Sequence, residues 1–152
     1  MRNLISLQYR VQLQLDGLPV LMRSADLNYA IRGYPIGFKH EENPPKKPRG
    51  RRGRLEDSAD MYLYNHLKFI VTYHEDPSNF AGIRITGFDV HPVSIKHDIP
   101  KDSGIINEST KSIATCRGMG VENELSTFLK LDSGNSIPVV YSYDVTWEES
   151  SL

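Results

Sequence analysis

The residues of this chain able to do chemistry are five histidines, one cysteine and a cluster of arginines and lysines. A zinc site needs its ligands about 2 Å from a common point. His66 and His74 lie in a stretch that alternates like a strand, roughly 26 Å apart at ~3.3 Å per residue, so they cannot share an ion within that strand. His91 and His97 are likewise separated if extended, and only cross-strand pairing could bring two histidines together. No metal site is assigned. Cys116 is followed by Arg117 and Gly118, without a recognisable nucleophile elbow. It reads as a structural cysteine or as one with a missing disulfide partner. The glycines form neither a GxGxxG nor a P-loop. No cofactor, small-molecule substrate or catalytic constellation is implied.

Three further features invite chemistry from outside. Lys46, Lys47, Arg49, Arg51, Arg52 and Arg54 form a basic run without an acid inside it. No aromatic residue lies between these charges to stack on bases, so a solvated loop is preferred to nucleic-acid binding through 46–54. Within the run, Arg49-Gly50-Arg51-Arg52 resembles the Arg-x-Arg-Arg pattern of processing proteases, which places a cut after Arg52. Asn107-Glu108-Ser109 is an N-glycosylation sequon in a polar stretch, making Asn107 the acceptor if the chain enters a secretory lumen.

The elements that must position these residues centre on Tyr62 to His97. Leu63, Leu67, Phe69, Val71 and Tyr73 share one parity, interrupted only by Asn65, which is the signature of a strand with one buried face. Glu75 to Gly82 is rich in turn residues. The next strand starts at Ile83 and Ile85, then slips phase to Phe88 and Val90. Gly87 at the slip marks a β-bulge. Pro92 forbids a central ladder position, so Val93 to His97 is expected to be an edge or a new strand. If His74 stands opposite Ile83, then Phe69 faces Phe88 and His66 faces His91. Opposed Cβ atoms lie roughly 5 Å apart, which would make His66 and His91 a pH-sensing pair whose two charges repel toward pH ~5.

Elsewhere, Gln8 to Leu15 alternates as a half-buried strand, and Asp16-Gly17 is a two-residue hairpin signal leading to a return strand over Pro19 to Met22. Short apolar pieces at Tyr29–Ile31 and Ile36–Phe38 follow. Residues 40–60 hold almost no large apolar side chain and are expected to be a disordered basic insertion. Ser112 to Cys116 and Thr127 to Leu131 are short strands, and Ile137 to Trp147 alternates after a hairpin-type connection at Asp132-Ser133-Gly134-Asn135. No segment has helical periodicity. The fold class is all-β, an antiparallel β-sandwich or jelly-roll-like domain over residues 8–150. A length of 152 residues suits one domain, and a net charge of −1 gives no global pull toward nucleic acid or anionic membrane. No run approaches the roughly 18 apolar residues of a membrane-spanning helix, and MRNLISLQYR lacks the apolar core of a signal peptide.

Several of these residues also carry a family likeness. Asn65-His66-Leu67 leading to Tyr73-His74, then Gly87, Phe88, Val90, Pro92, Ser94 and His97, resembles the Asn-His-Leu, Tyr-His and GFxVxPxSxxH segments of nonaspanin (transmembrane 9 superfamily) lumenal domains. Tyr9-Arg10-Val11 through Leu15-Asp16-Gly17-Leu18-Pro19 is similar to that family's YRV…LDNLP stretch, and Tyr141 to Ser150 to its FTYxVxWEES stretch. The likeness spans residues 9–150 in the family's order. It implies a non-catalytic lumenal domain of a Golgi and endosome membrane protein involved in membrane-protein sorting. The membrane spans would lie outside this chain, and family lumenal domains carry further cysteines upstream of Tyr9, which makes Cys116 a candidate for a disulfide whose partner the resemblance does not name. Its implied partners are membrane proteins or the transmembrane part of its own chain. The residues taken alone also allow a soluble carbohydrate- or peptide-binding β-sandwich module.

Overall fold

The structure is a computed structural model, and it describes residues 1–23, 29–40, 59–97, 127–132, 134 and 136–150. Its centre is the hairpin of β9 (His66–Glu75) and β10 (Ile83–Val93). The alternation of apolar side chains builds both strands, and the turn between them is closed by Asp76, whose carboxylate accepts from the Ser78 hydroxyl (2.5 Å) and the Asn79 amide (2.5 Å). These bonds hold the Asp76 carboxyl below its ordinary pKa. The register starts with Ile83 opposite Glu75 and shifts between Ile85 and Gly87, leaving Thr86 as the extra residue. The expected bulge at Gly87 is therefore present. It keeps Ile85, Phe88 and Val90 on one face despite their odd spacing, opposite Tyr73, Val71 and Phe69.

Three more strands complete this sheet in the order β11 (Ser142–Glu149), β9, β10, β4 (Leu21–Arg23), β5 (Ala30–Arg32). Two of its pairings, β11 with β9 and β10 with β4, are parallel. The fold is all-β as expected, yet the sheet is mixed, because alternation reports faces and carries no information on strand direction. Pro92 stays inside β10, opposite Leu67. It is tolerated because β4 meets β10 at Asp89, so at Pro92 the described strand has a single neighbour. An ion pair from Arg23 to Asp89 (2.6 Å) ties β4 to that position.

Small paired strands cover one face of the sheet. β1 (Arg10–Val11) pairs with β6 (Tyr34–Pro35), and β2 (Gln14–Leu15) with β3 (Leu18–Pro19). The expected continuous strand from Gln8 to Leu15 is thus divided: Val11 takes Tyr34 as partner while Leu15 takes Leu18. The Asp16-Gly17 turn has positive φ at both residues, 50° and 80°, the type I′ geometry its sequence favours. Val20, Tyr34, Val71, Phe88 and Val90 form the core between the layers, with Phe69 stacked on Phe88 at 5.3 Å.

A second core lies under the hairpin of β7 (Gly37–His40) and β8 (Asp60–Leu63). It gathers Ile5, Met61, Leu63 and Leu131, and Ile5 is presented by a helix the sequence did not suggest, α1 (Arg2–Ser6). Five residues are too few to show a helical period; burial of Ile5 and the Arg2 bond to the Leu131 carbonyl (2.7 Å) hold this turn. Leu129 to Leu131 runs beside β8, with Leu63 N–H donating to Leu129 O and Leu131 N–H to Met61 O. His40 and Asp60 are paired at the open end of β7 and β8, so the expected insertion is closed by a ladder. Residues 41–58 within it, and the Ser112–Cys116 strand, lie outside the described residues.

Gly37 shows how tightly these layers meet. A Cβ there would collide with the Tyr62 carbonyl oxygen and with Ile5. Backbone cannot retreat as a flexible side chain can, so Gly37→Ala is expected to cost about 1–3 kcal/mol. Gly17→Ala meets open space and carries only the strain of a positive φ, of order 1 kcal/mol. Urea denaturation midpoints of the two variants should rank in that order.

Candidate functional site

Where β8 gives way to β9, a polar side chain sits on the apolar parity. Asn65 is 1% exposed. Its amide has two donors and one acceptor oxygen, and the fold uses all of them. Nδ2 donates to the carbonyls of Ile95 and Val140, both at 2.9 Å, and Oδ1 accepts from the Ile95 N–H at 2.8 Å. Its backbone N–H reaches Val93 O at 3.2 Å, and its carbonyl accepts from the Ser142 N–H at 3.0 Å. One residue thereby joins the start of β9, the chain leaving β10 and the entry to β11. Ser94 works beside it, its buried hydroxyl accepting from the Leu129 N–H at 2.9 Å.

A line of side chains continues from this junction. His66 Nδ1 lies 2.8 Å from Ser142 Oγ, and His97 Nε2 lies 3.0 Å from the same oxygen. On its other side, His66 Nε2 lies 3.2 Å from Asp144 Oδ2. The carboxylate can only accept, so neutral His66 carries its proton on Nε2 and accepts at Nδ1 from the Ser142 hydroxyl. That hydroxyl oxygen then accepts from His97 Nε2–H. Every proton has one place in this sequence from His97 through Ser142 and His66 to Asp144. Burial pushes the His66 pKa below its ordinary 6.5; Asp144 opposes this by charge and hydrogen bond, and Lys68 adds to the lowering.

Ser, His and Asp side chains are the types a hydrolase uses; here each also links one strand or segment to another. The 410 Å³ cavity beside α1 and the 440 Å³ cavity at the β9–β10 turn are lined by other residues. Among the described residues no cluster of three or more His, Cys, Asp or Glu could hold a metal ion.

The expected His66–His91 pair does not form. His66 stands opposite Val93, and exposed His91 opposite Lys68. The turn displaces the register by one residue, since Ile83 meets Glu75 rather than His74, and the bulge displaces it by another. His66 meets His97 instead, through Ser142. The parity break at Asn65 was the local signal for this junction; Ser94, His97, Ser142 and Asp144 were marked only by lying in the segments that carry the family likeness. Asn107, Cys116, Arg49, Arg51 and Arg52 lie outside the described residues.

Two outcomes test this geometry. Asn65→Ala orphans buried backbone groups at about 1–3 kcal/mol each, so the unfolding free energy from urea denaturation should fall by several times about 1 kcal/mol, with the midpoint falling in proportion. For His66, the unfolded chain binds more protons than the folded one between the lowered folded pKa and 6.5. Its contribution to stability is therefore complete above pH 6.5 and is lost as pH falls through that window. The midpoint should drop between about pH 7.5 and about pH 5.5, and by less in His66→Gln.

Comparison with known proteins places these segments. A family model described as Endomembrane protein 70 matches residues 1–152. Transmembrane 9 superfamily member 9 of Arabidopsis thaliana is 30% identical over 156 aligned residues, covering 95% of this chain and 21% of the relative. Transmembrane 9 superfamily member 4 of Rattus norvegicus is 28% identical, covering 97% of this chain and 22% of the relative. A putative phagocytic receptor 1a of Dictyostelium discoideum is 34% identical across 57% of this chain and 12% of the relative. The chain thus spans about a fifth of the length of the curated relatives it matches. No solved structure matches. No described helix is long and apolar enough to cross a membrane. By the match of its whole length to the family model and by its likeness to these relatives, the chain belongs to the endomembrane protein 70 family, that of the Transmembrane 9 superfamily proteins.

Proposed function

We propose that this chain is a non-catalytic, lumen-facing domain of a Transmembrane 9-type membrane protein that takes part in membrane-protein sorting in the Golgi and endosomes. Its partners in this reading are other membrane proteins or the membrane-spanning part of its own chain. One observation carries the proposal. The segments that resemble the nonaspanin domain, Asn65-His66, Ser94 to His97 and Tyr141 to Ser150, are those whose polar groups meet in the buried junction. Their Ser, His and Asp side chains are occupied in joining strands, which favours a structural and binding role over turnover. Protonation of His66 would turn its Nδ1 from an acceptor into a donor toward Ser142 Oγ, which costs the hydrogen bond that the Ser142 hydroxyl gives it and supports a response of this joint to acid.

Orientation is the part most directly tested. Expressed from its full reading frame in a secreting eukaryotic cell, the protein should carry a glycan on Asn107 that endoglycosidase removes and Asn107→Gln abolishes. Immunofluorescence should place it with Golgi and endosomal markers. An unshifted band, or a diffuse cytosolic signal, would overturn the lumenal assignment.

A further inference from the structure

β11 ends the five-stranded sheet. The Ser142 N–H donates to Asn65 O (3.0 Å) and the Ser150 N–H to Tyr73 O (2.6 Å), so the even-numbered residues direct their backbone groups to β9. In a parallel ladder a residue gives both its N–H and its C=O to the same neighbour. The N–H and C=O groups of Tyr143, Val145, Trp147 and Glu149 therefore point outward, and no described strand receives them.

The side chains of the same residues are equally unfinished. Tyr143, Val145 and Trp147 stand beside Leu67, Phe69 and Val71, on the face that elsewhere forms the core. Among the described residues the covering layer stops short of them. Val71 is 2% exposed, whereas Tyr143 is 68%, Val145 45% and Trp147 53% exposed. Edge strands ordinarily carry charge, proline or a bulge against further pairing. In the eight residues of β11, SYDVTWEE, there is no proline and the register with β9 is unbroken, so the negative charge of Asp144, Glu148 and Glu149 is what guards this edge, and it guards it against an uncharged or acidic strand but not against a basic one.

Charge identifies what fits this edge. Asp144, Thr146 and Glu148 occupy the opposite face, and Glu149 follows. Asp144 meets His66 and stands beside Lys68; Glu148 and Glu149 form no ion pair among the described residues. A second copy of β11, laid antiparallel about Val145, would match Tyr143 to Trp147 but set Asp144 and Glu148 of both copies diagonally on one face, where like charges oppose pairing. Basic residues on the incoming strand remove that penalty.

We propose that β11 is a docking edge for an extended segment of another protein in which apolar residues alternate with lysine or arginine. The segment adds a sixth strand beside β11. Its backbone completes the outward hydrogen bonds, its apolar side chains cover Tyr143, Val145 and Trp147, and its cations face Asp144 and Glu148. Roughly five or six residues, the usual length of a strand, suffice to span the outward groups of Tyr143 to Glu149. The inference stands on the sheet edge and not on the sorting role, so either can fail without the other.

Trp147, the only tryptophan, reports on its own site. The full 152-residue chain is titrated with a capped heptapeptide alternating lysine and valine. A saturable blue shift of Trp147 emission, weakened by salt, is the expected result. A glutamate–valine peptide, and a lysine–valine peptide N-methylated at its valines, should each bind at least tenfold more weakly. Val145→Pro removes an outward N–H without touching the β9 ladder and should abolish the shift, and Glu148→Lys should weaken binding several-fold. Equal binding of either control peptide, or no shift with the lysine–valine peptide, overturns the proposal. A concentration-dependent dimer that Val145→Pro returns to monomer also overturns it, because a second copy would then be the occupant. If Val145→Pro fails to fold, the N-methylated peptide still decides.

Discussion

The side-chain amide of Asn65 is the constraint on which the central sheet depends. A buried amide without partners is costly, of order 1–3 kcal/mol per group, so the Ile95 and Val140 carbonyls and the Ile95 N–H must come to it. Those contacts fix where the chain goes after β10 and where it enters β11. Two segments far from β9 in sequence are delivered to one end of it, and the parallel register of β11 starts there, with Ser142 opposite His66.

That register also assembles the histidine line. Once Ser142 is set beside His66, the alternation of β11 sends Asp144 to the same face and Tyr143 to the other. The polar face then completes a proton-ordered path through His97, Ser142, His66 and Asp144. The apolar face extends the core stripe of Leu67, Phe69, Val71 and Tyr73 by one strand. Ring contacts continue outward, with Phe69 and Tyr143 at 6.3 Å and Tyr73 and Trp147 at 6.3 Å. The covering pairs β1–β6 and β2–β3 are too short to follow. One strand placement thus produces both a tied joint and an uncovered edge, and the joint is what keeps so exposed a strand in place.

Much of this was legible in the residues. The alternation of Leu67, Phe69, Val71 and Tyr73 specified a strand and its inward face, because period two is a property of the extended chain itself. Asp16-Gly17 specified its turn through φ, and Gly87 marked the bulge through a parity slip. Asn65 was visible as an interruption. Its meaning was not, since its five hydrogen bonds go to residues whose proximity no local pattern encodes. The His66–His91 pairing failed for a related reason: register accumulates small offsets, one at the turn and one at the bulge, and each moves a neighbour away.

By itself the sequence determined the all-β class, the family likeness in the order of its segments, the hairpin turn and the buried faces of β9 and β10. Each follows from chemistry within a few residues: side-chain periodicity, allowed φ or a fixed motif. Only the tertiary structure decided that β11 runs parallel to β9, that His66 meets His97 across Ser142, and that Tyr143, Val145 and Trp147 lie uncovered. The physical reason is that direction, partner and exposure belong to pairs of distant segments. In this chain those pairs were chosen by the need to satisfy one buried amide and by the limited width of the covering layer.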